Sequence, residues 1–406
     1  VRAAAVSRLL IVTGGPGTGK TTILRGILDL FSRMELRALL AAPTGRAAKR
    51  LQEVTGQEAS TIHRLLESQL DPATGQLIFT RDEDNPLKAH AVIVDETSMV
   101  DLPLLASLLR ALPTGCRLIL VGDPDQLPPV GPGCPLSDIL RSGVVPAVRL
   151  TEIFRQAQES LIVMNAHRVN SGVMPDLKTV TSDFFFLRRR TEEAVASTIG
   201  DLCRTRLPDR MGIPPEEIQV LSPTRKGPTG TASLNLLLQA QLNPPAPDKK
   251  EKKWGDFSFR EGDRVMQIRN NYDILWKKTD GTQVGTGIFN GDIGVITEID
   301  LNAELLTVVF DDRQAEYDFD MLRELELAYA MTVHKSQGSE YQAVVLAAWS
   351  CAPNLRTRRV LYTAITRARK LLVVVGREDI LQTMTENQRQ SRRYSGLKLR
   401  LQEKEQ

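Results

Sequence analysis

The hydrophobic pattern of the first 150 residues repeats a short apolar run, a turn and a helical stretch. Four runs rich in Val, Ile and Leu end in small or acidic residues: LLIVTGG, RALLAAPT, AVIVDET and RLILVGD. Continuous apolar runs are typical of strands buried on both faces of a parallel sheet. The segments between them, such as TTILRGILDLFSRM, have helical periodicity. The pattern predicts a doubly wound α/β domain over residues 1–150, with ligands at the carboxyl ends of its strands.

Two insertions and a second domain are predicted from the rest of the pattern. Within residues 62–89, turn residues flank a short alternating stretch, which predicts a small hairpin insertion. A second α/β domain is expected over 151–254 and 323–406, with IQVLSPT, AVVLAAW and KLLVVVG as buried strands. Between its two parts, residues 255–322 alternate in short strands separated by Gly, Asn and Asp turns, which predicts a small β-barrel. The charged, Gln-rich tail after Asp379 is expected to be a frayed helix.

Composition and charge restrict this picture only a little. The hydrophobic content of 42% and charged content of 25% are those of an ordinary globular protein. No apolar run approaches the ~20 residues that a transmembrane helix needs, so no membrane partner is expected. The four cysteines lie far apart, which favours reduced thiols in a cytoplasmic protein without a zinc site. The net charge of +3 identifies no partner, since a nucleic-acid surface needs basic residues clustered on one face.

A glycine-rich loop between the first strand and the first helix carries the clearest chemical signal. Residues 14–22, GGPGTGKTT, fit the pattern G-x-x-x-x-G-K-[ST]. Glycines let successive backbone N–H groups converge on phosphate oxygens, and the helix N-terminus adds a favourable dipole. Lys20 would reach the β- and γ-phosphates of ATP, and the Thr21 hydroxyl would ligate Mg²⁺. The residues of this loop expected to contact ATP are Gly15, Pro16, Gly17, Thr18, Gly19, Lys20, Thr21 and Thr22.

Two adjacent acids end a later strand in the sequence VIVDETSMVD. Asp95 is expected to hold Mg²⁺ through its water shell, and Glu96 is the candidate base that orients the attacking water. Adjacent acids at a strand end also occur as helix caps, and only the upstream phosphate loop favours catalysis. Hydrolysis further needs positive charge at the transferring phosphoryl group, for which Arg155 and Arg367 are candidates. Taken alone, an arginine is usually a solvated surface residue.

Further strings resemble the motifs of superfamily 1 helicases, in the same order and spacing. APTGRAAKRL at 42–51 and TIHRLL at 61–66 are similar to motifs Ia and Ib, and LILVGDPDQLPPVGPG at 118–133 to motif III. LTEIFRQ at 150–156 is similar to motif IV, MTVHKSQGSEY at 331–341 to motif V, and LYTAITRARK to motif VI. Together with SPTRKGPTGTASLN, which ends at Asn235, these strings most resemble the RecD-like helicases.

The resemblance implies two RecA-like domains with ATP bound in a cleft between them. One wall would carry Lys20, Thr21, Asp95, Glu96 and Gln126, the last sensing the γ-phosphate. The other wall would supply Arg155 and Arg367 as arginine fingers, with Gly338 and Glu340 also near the nucleotide. It also implies 5′→3′ polarity and an SH3-like identity for the barrel. A glutamine that reads adenine normally precedes the phosphate loop; none is present here, so the chain is expected to be part of something longer.

The resemblance also implies a track for single-stranded DNA across both domains, with phosphate contacts just beyond strand ends. Each candidate could instead be a capping or turn residue. The candidates are Pro43, Thr44, Gly45, Arg46, Thr61, His63, Thr224, Arg225, Asn235, Thr332 and His334. The hairpin at 71–86 is expected to act as a strand-separating pin. The barrel also carries basic residues that usually form only a solvated face, with support of the strand or the duplex as the functional alternative: Arg260, Arg264, Arg269, Lys277 and Lys278.

The motifs and the resemblance together predict an ATP-dependent, Mg²⁺-requiring DNA helicase that moves 5′→3′ in recombination or repair. Its expected partners are single-stranded DNA and junctions with a 5′ tail. Two alternatives remain open. One is an RNA-directed helicase, because phosphate contacts ignore the sugar; the other is a P-loop protein that uses the nucleotide as a binding switch without processive movement.

Overall fold

The computed structural model describes residues 1–70, 77–179, 183–349, 351–389, 393 and 395–403. The chain forms two compact units. Unit 1 comprises residues 1–170 with 389–406, and unit 2 comprises residues 171–388. No helix in the described ranges is long and apolar enough to cross a lipid bilayer.

Unit 1 is a six-stranded parallel sheet with helices on both faces and a two-stranded hairpin. The sheet order is β3-β2-β6-β7-β1-β8, and β4 pairs with β5 in an antiparallel hairpin whose tip, residues 71–76, lies outside the described residues. The elements are α1 (Arg2–Val6), β1 (Leu9–Gly14), α2 (Lys20–Arg33), β2 (Ala38–Ala42), α3 (Gly45–Thr55), β3 (Ala59–Thr61), α4 (Ile62–Leu65), β4 (Ser68–Leu70), β5 (Leu77–Phe79), β6 (Ala91–Val94), α5 (Leu102–Arg110), β7 (Arg117–Gly122), α6 (Pro135–Ser142), β8 (Ala147–Leu150), α7 (Arg155–Gln158) and α8 (Leu161–Asn170).

The continuous apolar runs account for this sheet. All four residues of β6 are buried, and alternate side chains of the strands enter two separate hydrophobic clusters, one on each face. Val92 and Val94 pack on one face, while Ile93 packs on the other with helix α2. A strand with both faces covered has no position for a polar residue, which explains why its hydrophobic run is unbroken.

Unit 2 combines a five-stranded parallel sheet with an antiparallel barrel. The parallel sheet has the order β20-β10-β21-β22-β9. The elements are β9 (Phe184–Arg188), α9 (Glu192–Asp201), α10 (Leu207–Met211), β10 (Ile218–Ser222), α11 (Thr231–Leu242), β11 (Glu251–Trp254), β12 (Phe257–Arg260), β13 (Arg264–Gln267), β14 (Asn271–Lys278), β15 (Val284–Ile288), β16 (Ile293–Asp300), β17 (Leu305–Phe310), β18 (Arg313–Asp318), β19 (Leu325–Leu327), β20 (Ala330–Thr332), β21 (Tyr341–Ala348), α12 (Arg358–Ile365), β22 (Ala368–Gly376) and α13 (Glu378–Glu386).

The barrel is a seven-stranded sheet with a separate two-stranded ribbon, β11-β12, at its start. Its order is β15-β14-β18-β17-β16-β13-β19. Residues such as Ile296, Val308 and Tyr317 fill its interior and are fully buried. The seven-stranded sheet covers residues 264–327; together with the ribbon the insertion covers 251–327, a few residues more at each end than the predicted 255–322. Strand β19 runs almost directly into β20 of the parallel sheet, since only Ala328 and Tyr329 separate them.

The structure divides the chain differently from the prediction at two places. Residues 151–170 belong to unit 1, not to the second domain, and His167 and Asn170 of α8 form hydrogen bonds to Pro16 and Asp125 of that unit. The chain end also belongs to unit 1: helix α14 (Leu397–Glu403) packs Leu397 and Leu401 against its core. The tail after Asp379 is not simply frayed, because α13 anchors it to unit 2 through buried apolar residues.

Candidate nucleotide and nucleic-acid sites

The phosphate loop joins β1 to α2 and holds its lysine by its own backbone. Lys20 Nζ donates to the carbonyl oxygens of Gly14 and Gly15 at 2.6 and 2.9 Å. Gly17 and Gly19 adopt left-handed φ angles of 72° and 82°, which glycine accepts without strain. The loop therefore has the bent backbone and the adjacent Lys20 ammonium group that phosphate binding requires.

Two residues from a later segment of unit 1, Phe154 and His167, form hydrogen bonds to the phosphate loop. The Phe154 N–H donates to the Gly17 carbonyl at 3.1 Å, and His167 Nε2 donates to the Pro16 carbonyl at 3.0 Å. A Cβ added at Gly19 would lie 2.2 Å from the Phe154 ring. The ring is nevertheless 57% exposed, so an accessible aromatic side chain lies beside the phosphate loop. Phe154 lies in the string LTEIFRQ that resembles motif IV, but nothing in the sequence indicated the role of His167.

Asp95 and Glu96 follow β6 at the same edge of the sheet. The Glu96 N–H donates to Asp95 Oδ1 at 2.8 Å, and Glu96 has a left-handed φ of 50°, a costly conformation for a residue other than glycine. Burial, and then the negative charge of Glu96, raise the pKa of Asp95 to about 6, although Arg50 and Lys20 oppose this. A partly buried carboxylate with a raised pKa is one that a bound cation would strongly favour.

Gln126 lies in the loop after β7, the strand between β6 and β1. Its side chain is 6% exposed, and Oε1 has no hydrogen-bond partner among the described residues. A buried acceptor without a donor is costly unless a ligand or water supplies one. The strand order thus places the acids, this amide and the phosphate loop on three neighbouring strand ends.

The two arginine candidates differ in their surroundings. Arg155 begins α7 and is exposed, and it belongs to unit 1 with Lys20 and not, as predicted, to the second domain. Arg367 belongs to unit 2 and is only 1% exposed. Its guanidinium donates to the carbonyls of Thr363 and Ser339 and to Thr366 Oγ1, at 3.0–3.1 Å. Arg367 therefore ties α12 to the Gly338–Glu340 segment.

The Gly338–Glu340 segment contains a left-handed turn at its glycine and ends in a glutamate. Gly338 has a left-handed φ of 72°, and Glu340 Oε2 lies 4.0 Å from Arg369 Nε. Both residues lie in unit 2, between β20 and β21.

In unit 1 the candidate DNA contacts follow β2 and β3, and two of them cap helices. Thr44 Oγ1 accepts from Ala47 N at 3.3 Å, and Thr61 Oγ1 accepts from Arg64 N at 3.1 Å. The capping interpretation is therefore correct for both, although each hydroxyl keeps its own proton to donate. The His63 ring lies 5.8 Å from the Phe79 ring of the hairpin, tilted by 49°, and burial lowers the pKa of His63 against a smaller opposing effect of Asp101. Three further candidates are half-buried at the end of β2: Pro43, Gly45 and Arg46.

In unit 2 a glutamate organises the basic residues at the ends of β10 and β20. Glu326 Oε1 accepts from Arg225 and Oε2 from Lys335, both at 2.8 Å. Thr332 Oγ1 accepts from the Lys335 N–H at 3.3 Å, while Thr224 lies next to Arg225 and is half-buried. Glu326 and Lys335 were not among the predicted contacts, and only the side-chain geometry reveals them.

Three residues of unit 2 have structural partners where DNA contacts were expected. Asn235 accepts from Ala330 N at 2.7 Å and donates to Ala330 O at 3.0 Å, so it fastens α11 to β20. Arg260 is 8% exposed and binds Glu251 at 2.6 Å, and Arg264 donates to the Ile218 carbonyl at 3.1 Å. Burial lowers the pKa of the half-buried His334.

Comparison with known proteins agrees with this geometry. Three family models match: an AAA domain over residues 1–132, an ATP-dependent RecD-like DNA helicase SH3 domain over 234–310, and a UvrD-like helicase C-terminal domain over 327–375. The RecBCD enzyme subunit RecD of Mycolicibacterium smegmatis is 32% identical over 437 residues, covering 97% of this chain and 72% of that protein. This chain belongs to the RecD-like helicase family.

A second curated protein and a solved structure are also similar to this chain. The ATP-dependent RecD2 DNA helicase of Deinococcus radiodurans is 37% identical over 95% of this chain, which spans about half (49%) of that protein's length. The crystal structure of Bacteroides Pif1 bound to single-stranded DNA has a TM-score of 0.54 and 21% identity, and covers 95% of this chain and 92% of Pif1. The predicted family and the α/β fold with its SH3-like insertion are thus confirmed.

Proposed function

We propose that this chain couples ATP hydrolysis to 5′→3′ movement along single-stranded DNA and separates duplex strands, in recombination or repair. The observation that carries the proposal is the edge of the unit 1 sheet, where β6, β7 and β1 end in the acid pair, Gln126 and the phosphate loop. The name of the D. radiodurans relative, a DNA helicase, and the single-stranded DNA bound to Pif1 support the choice of DNA.

The residues of unit 1 fit Mg²⁺ and ATP. Gly17 and Gly19 are bent as a phosphate cradle, Gln126 Oε1 lacks a donor, and Asp95 has a raised pKa that a divalent cation would reverse. The Thr21 hydroxyl and Asp95 would hold Mg²⁺, the Asp95 carboxylate through water. When bound, the ion would neutralise charge on the β- and γ-phosphates.

Hydrolysis would then use side chains of this chain in distinct roles. Lys20 gives up its bonds to the loop carbonyls and stabilises charge on the γ-phosphoryl oxygens. Glu96 accepts a proton from the attacking water, and Gln126 Oε1 accepts a hydrogen bond from the same water. Arg155, which is exposed, supplies further positive charge, whereas Arg367 does so only by exchanging its bonds to Ser339 and Thr366.

The DNA strand would be held by phosphate contacts at strand ends in each unit. In unit 1 the Thr44 and Thr61 hydroxyls, and in unit 2 Thr332 with Arg225, supply donors that carry no sequence information. Glu326 holds Arg225 in place and leaves one net positive charge with Lys335. Gly338 and Glu340 stay predicted nucleotide contacts of unit 2.

Directional unwinding tests the proposal. Duplexes with a 5′ or a 3′ single-stranded tail, otherwise identical, are incubated with the protein, ATP and Mg²⁺, and strand release is followed by fluorescence. We expect release only from the 5′-tailed duplex, and none with Lys20→Ala. Preference for the 3′ tail would overturn the polarity. A matched RNA strand that stimulates ATP hydrolysis more than DNA would overturn the substrate, and hydrolysis that no strand stimulates would support a nucleotide switch.

A further inference from the structure

The two parallel sheets have the same topology. In chain order, the five shared strands are β1, β2, β3, β6 and β7 in unit 1 and β9, β10, β20, β21 and β22 in unit 2. In both sheets their spatial order is third, second, fourth, fifth, first. The end of β9 in unit 2 therefore corresponds to the end of β1 in unit 1, where the phosphate loop begins. The end of β22 corresponds likewise to the end of β7.

At the corresponding position, unit 2 has arginines where unit 1 has glycines. A cavity of about 580 Å³ opens at the ends of β9 and β22, and four arginines contribute to its lining: Arg188, Arg189, Arg190 and Arg377. The Arg189 N–H donates to the Gly376 carbonyl at 2.9 Å, which joins the two strand ends. The cavity is thus a built feature of the sheet edge.

Two of these guanidinium groups are held in place and two are available. Arg377 donates through Nε and Nη2 to the Asp379 carboxylate at 2.8 and 2.5 Å, and Arg189 Nε donates to Thr198 Oγ1 at 2.6 Å. Arg188 and Arg190 are exposed, and within the described part of the chain neither side chain has an ion-pair partner. Against four arginines the lining offers two carboxylates, Asp379 and Glu378, so it keeps a net charge of about +2.

We propose that this arginine cavity binds backbone phosphates of a nucleic-acid strand that continues along the edge of the unit 2 sheet from Thr332 and Thr224. The inference rests on the proposed function. Strand β10, which Thr224 follows, lies three strands from β9, or ~15 Å at the usual spacing. A few nucleotides cover that distance. Guanidinium groups suit phosphate because they form paired hydrogen bonds with it and keep their charge.

A free nucleotide fits the cavity less well than a strand. The segment after β9 has no glycine loop that would expose backbone N–H groups. The N-terminus of α9 is already capped by Thr191, whose Oγ1 accepts from Ala194 N at 3.2 Å, and its first turn carries Glu192 and Glu193. These carboxylates neutralise the helix dipole that would otherwise attract a triphosphate.

Binding of labelled oligothymidylate over a series of salt concentrations tests this proposal. In Arg188→Ala/Arg190→Ala, the slope of log K against log salt should fall by about 1.4, because each phosphate contact to a single strand contributes about 0.7. The fall should appear with a long strand and not with one too short to reach β9. The control Arg204→Ala/Arg210→Ala removes the same charge from exposed residues in the connection to the amino end of β10.

The possible results distinguish failure of the arginine site from failure of the proposed function. Equal slopes for the two double variants would overturn the arginine site while leaving the proposed function intact. Wild-type protein that neither binds single strands nor hydrolyses ATP faster in their presence would instead refute the proposed function. With Lys20→Ala added to block the phosphate loop, loss of labelled ATP binding on replacing Arg188 and Arg190 would mean a nucleotide site, and would also overturn the proposal.

Discussion

Replacing Arg367 by alanine should destabilise unit 2 as well as slow hydrolysis. The guanidinium is 1% exposed and donates three hydrogen bonds. Three bonds from a charged donor contribute about 6 kcal/mol and the cavity left behind costs about 2 kcal/mol more. Removing a buried charge that has no carboxylate partner among the described residues returns about 5 kcal/mol of desolvation cost. The expected net loss is about 3 kcal/mol, which corresponds to about 6–12 °C in the unfolding midpoint of a unit of this size.

Thermal unfolding followed by circular dichroism measures this effect. The matched control is Arg369→Ala, which removes the same side chain from an exposed position of β22, 60% accessible and 4.0 Å from Glu340. That variant should remain within about 0.5 kcal/mol of the wild type. The reasoning would be refuted if Arg367→Ala unfolded at the same temperature as the control. Should its turnover still fall in that case, Arg367 would act on the nucleotide without a structural role.

Three further predictions follow from single residues. Gly19→Ala should abolish ATP binding in a filter assay, because a Cβ there would meet the Phe154 ring at 2.2 Å and φ is 82°; near-normal affinity would contradict this. Mg²⁺-dependent hydrolysis should rise with pH through about 6 as Asp95 ionises, and more Mg²⁺ should lower the midpoint, because metal and proton compete; a midpoint independent of Mg²⁺ would exclude Asp95. Asp263→Ala should cost about 3 kcal/mol in denaturant unfolding, because four buried donors lose their acceptor, whereas a loss below about 1 kcal/mol would show that they find others.

The sequence could predict both sheets and the nucleotide loop because their signals are local. A buried parallel strand needs an unbroken apolar run, and the phosphate loop needs its glycines and lysine at fixed spacing. The positions of Lys20, Asp95 and Gln126 at neighbouring strand ends follow once those strands are recognised. The strand order itself is not local, and it is what brings Gln126 between the other two.

These local patterns could not predict contacts between side chains that are far apart in the sequence. An arginine in a motif looks the same whether it is exposed, as Arg155 is, or buried with three acceptors, as Arg367 is. Asn235 resembled a polar contact for DNA, yet its partner is a backbone group 95 residues away. The membership of residues 151–170 and of α14 in unit 1 depends on packing against distant helices and loops, which periodicity cannot reveal.

Long-range contacts also decide whether the barrel is a separately attached module or an integral part of unit 2. Its interior residues and those of the parallel sheet, such as Ile296 and Val345, form one continuous hydrophobic cluster. Helix α11 reinforces the connection, since Asn235 holds β20 at one end while Gln239 and Asn243 donate to Asp263 of the barrel at 2.6 and 2.8 Å. A module attached by flexible linkers would have neither the shared core nor the buried polar network. The barrel is therefore packed as an integral part of unit 2, and its core continues into the sheet whose strand β20 ends at Thr332.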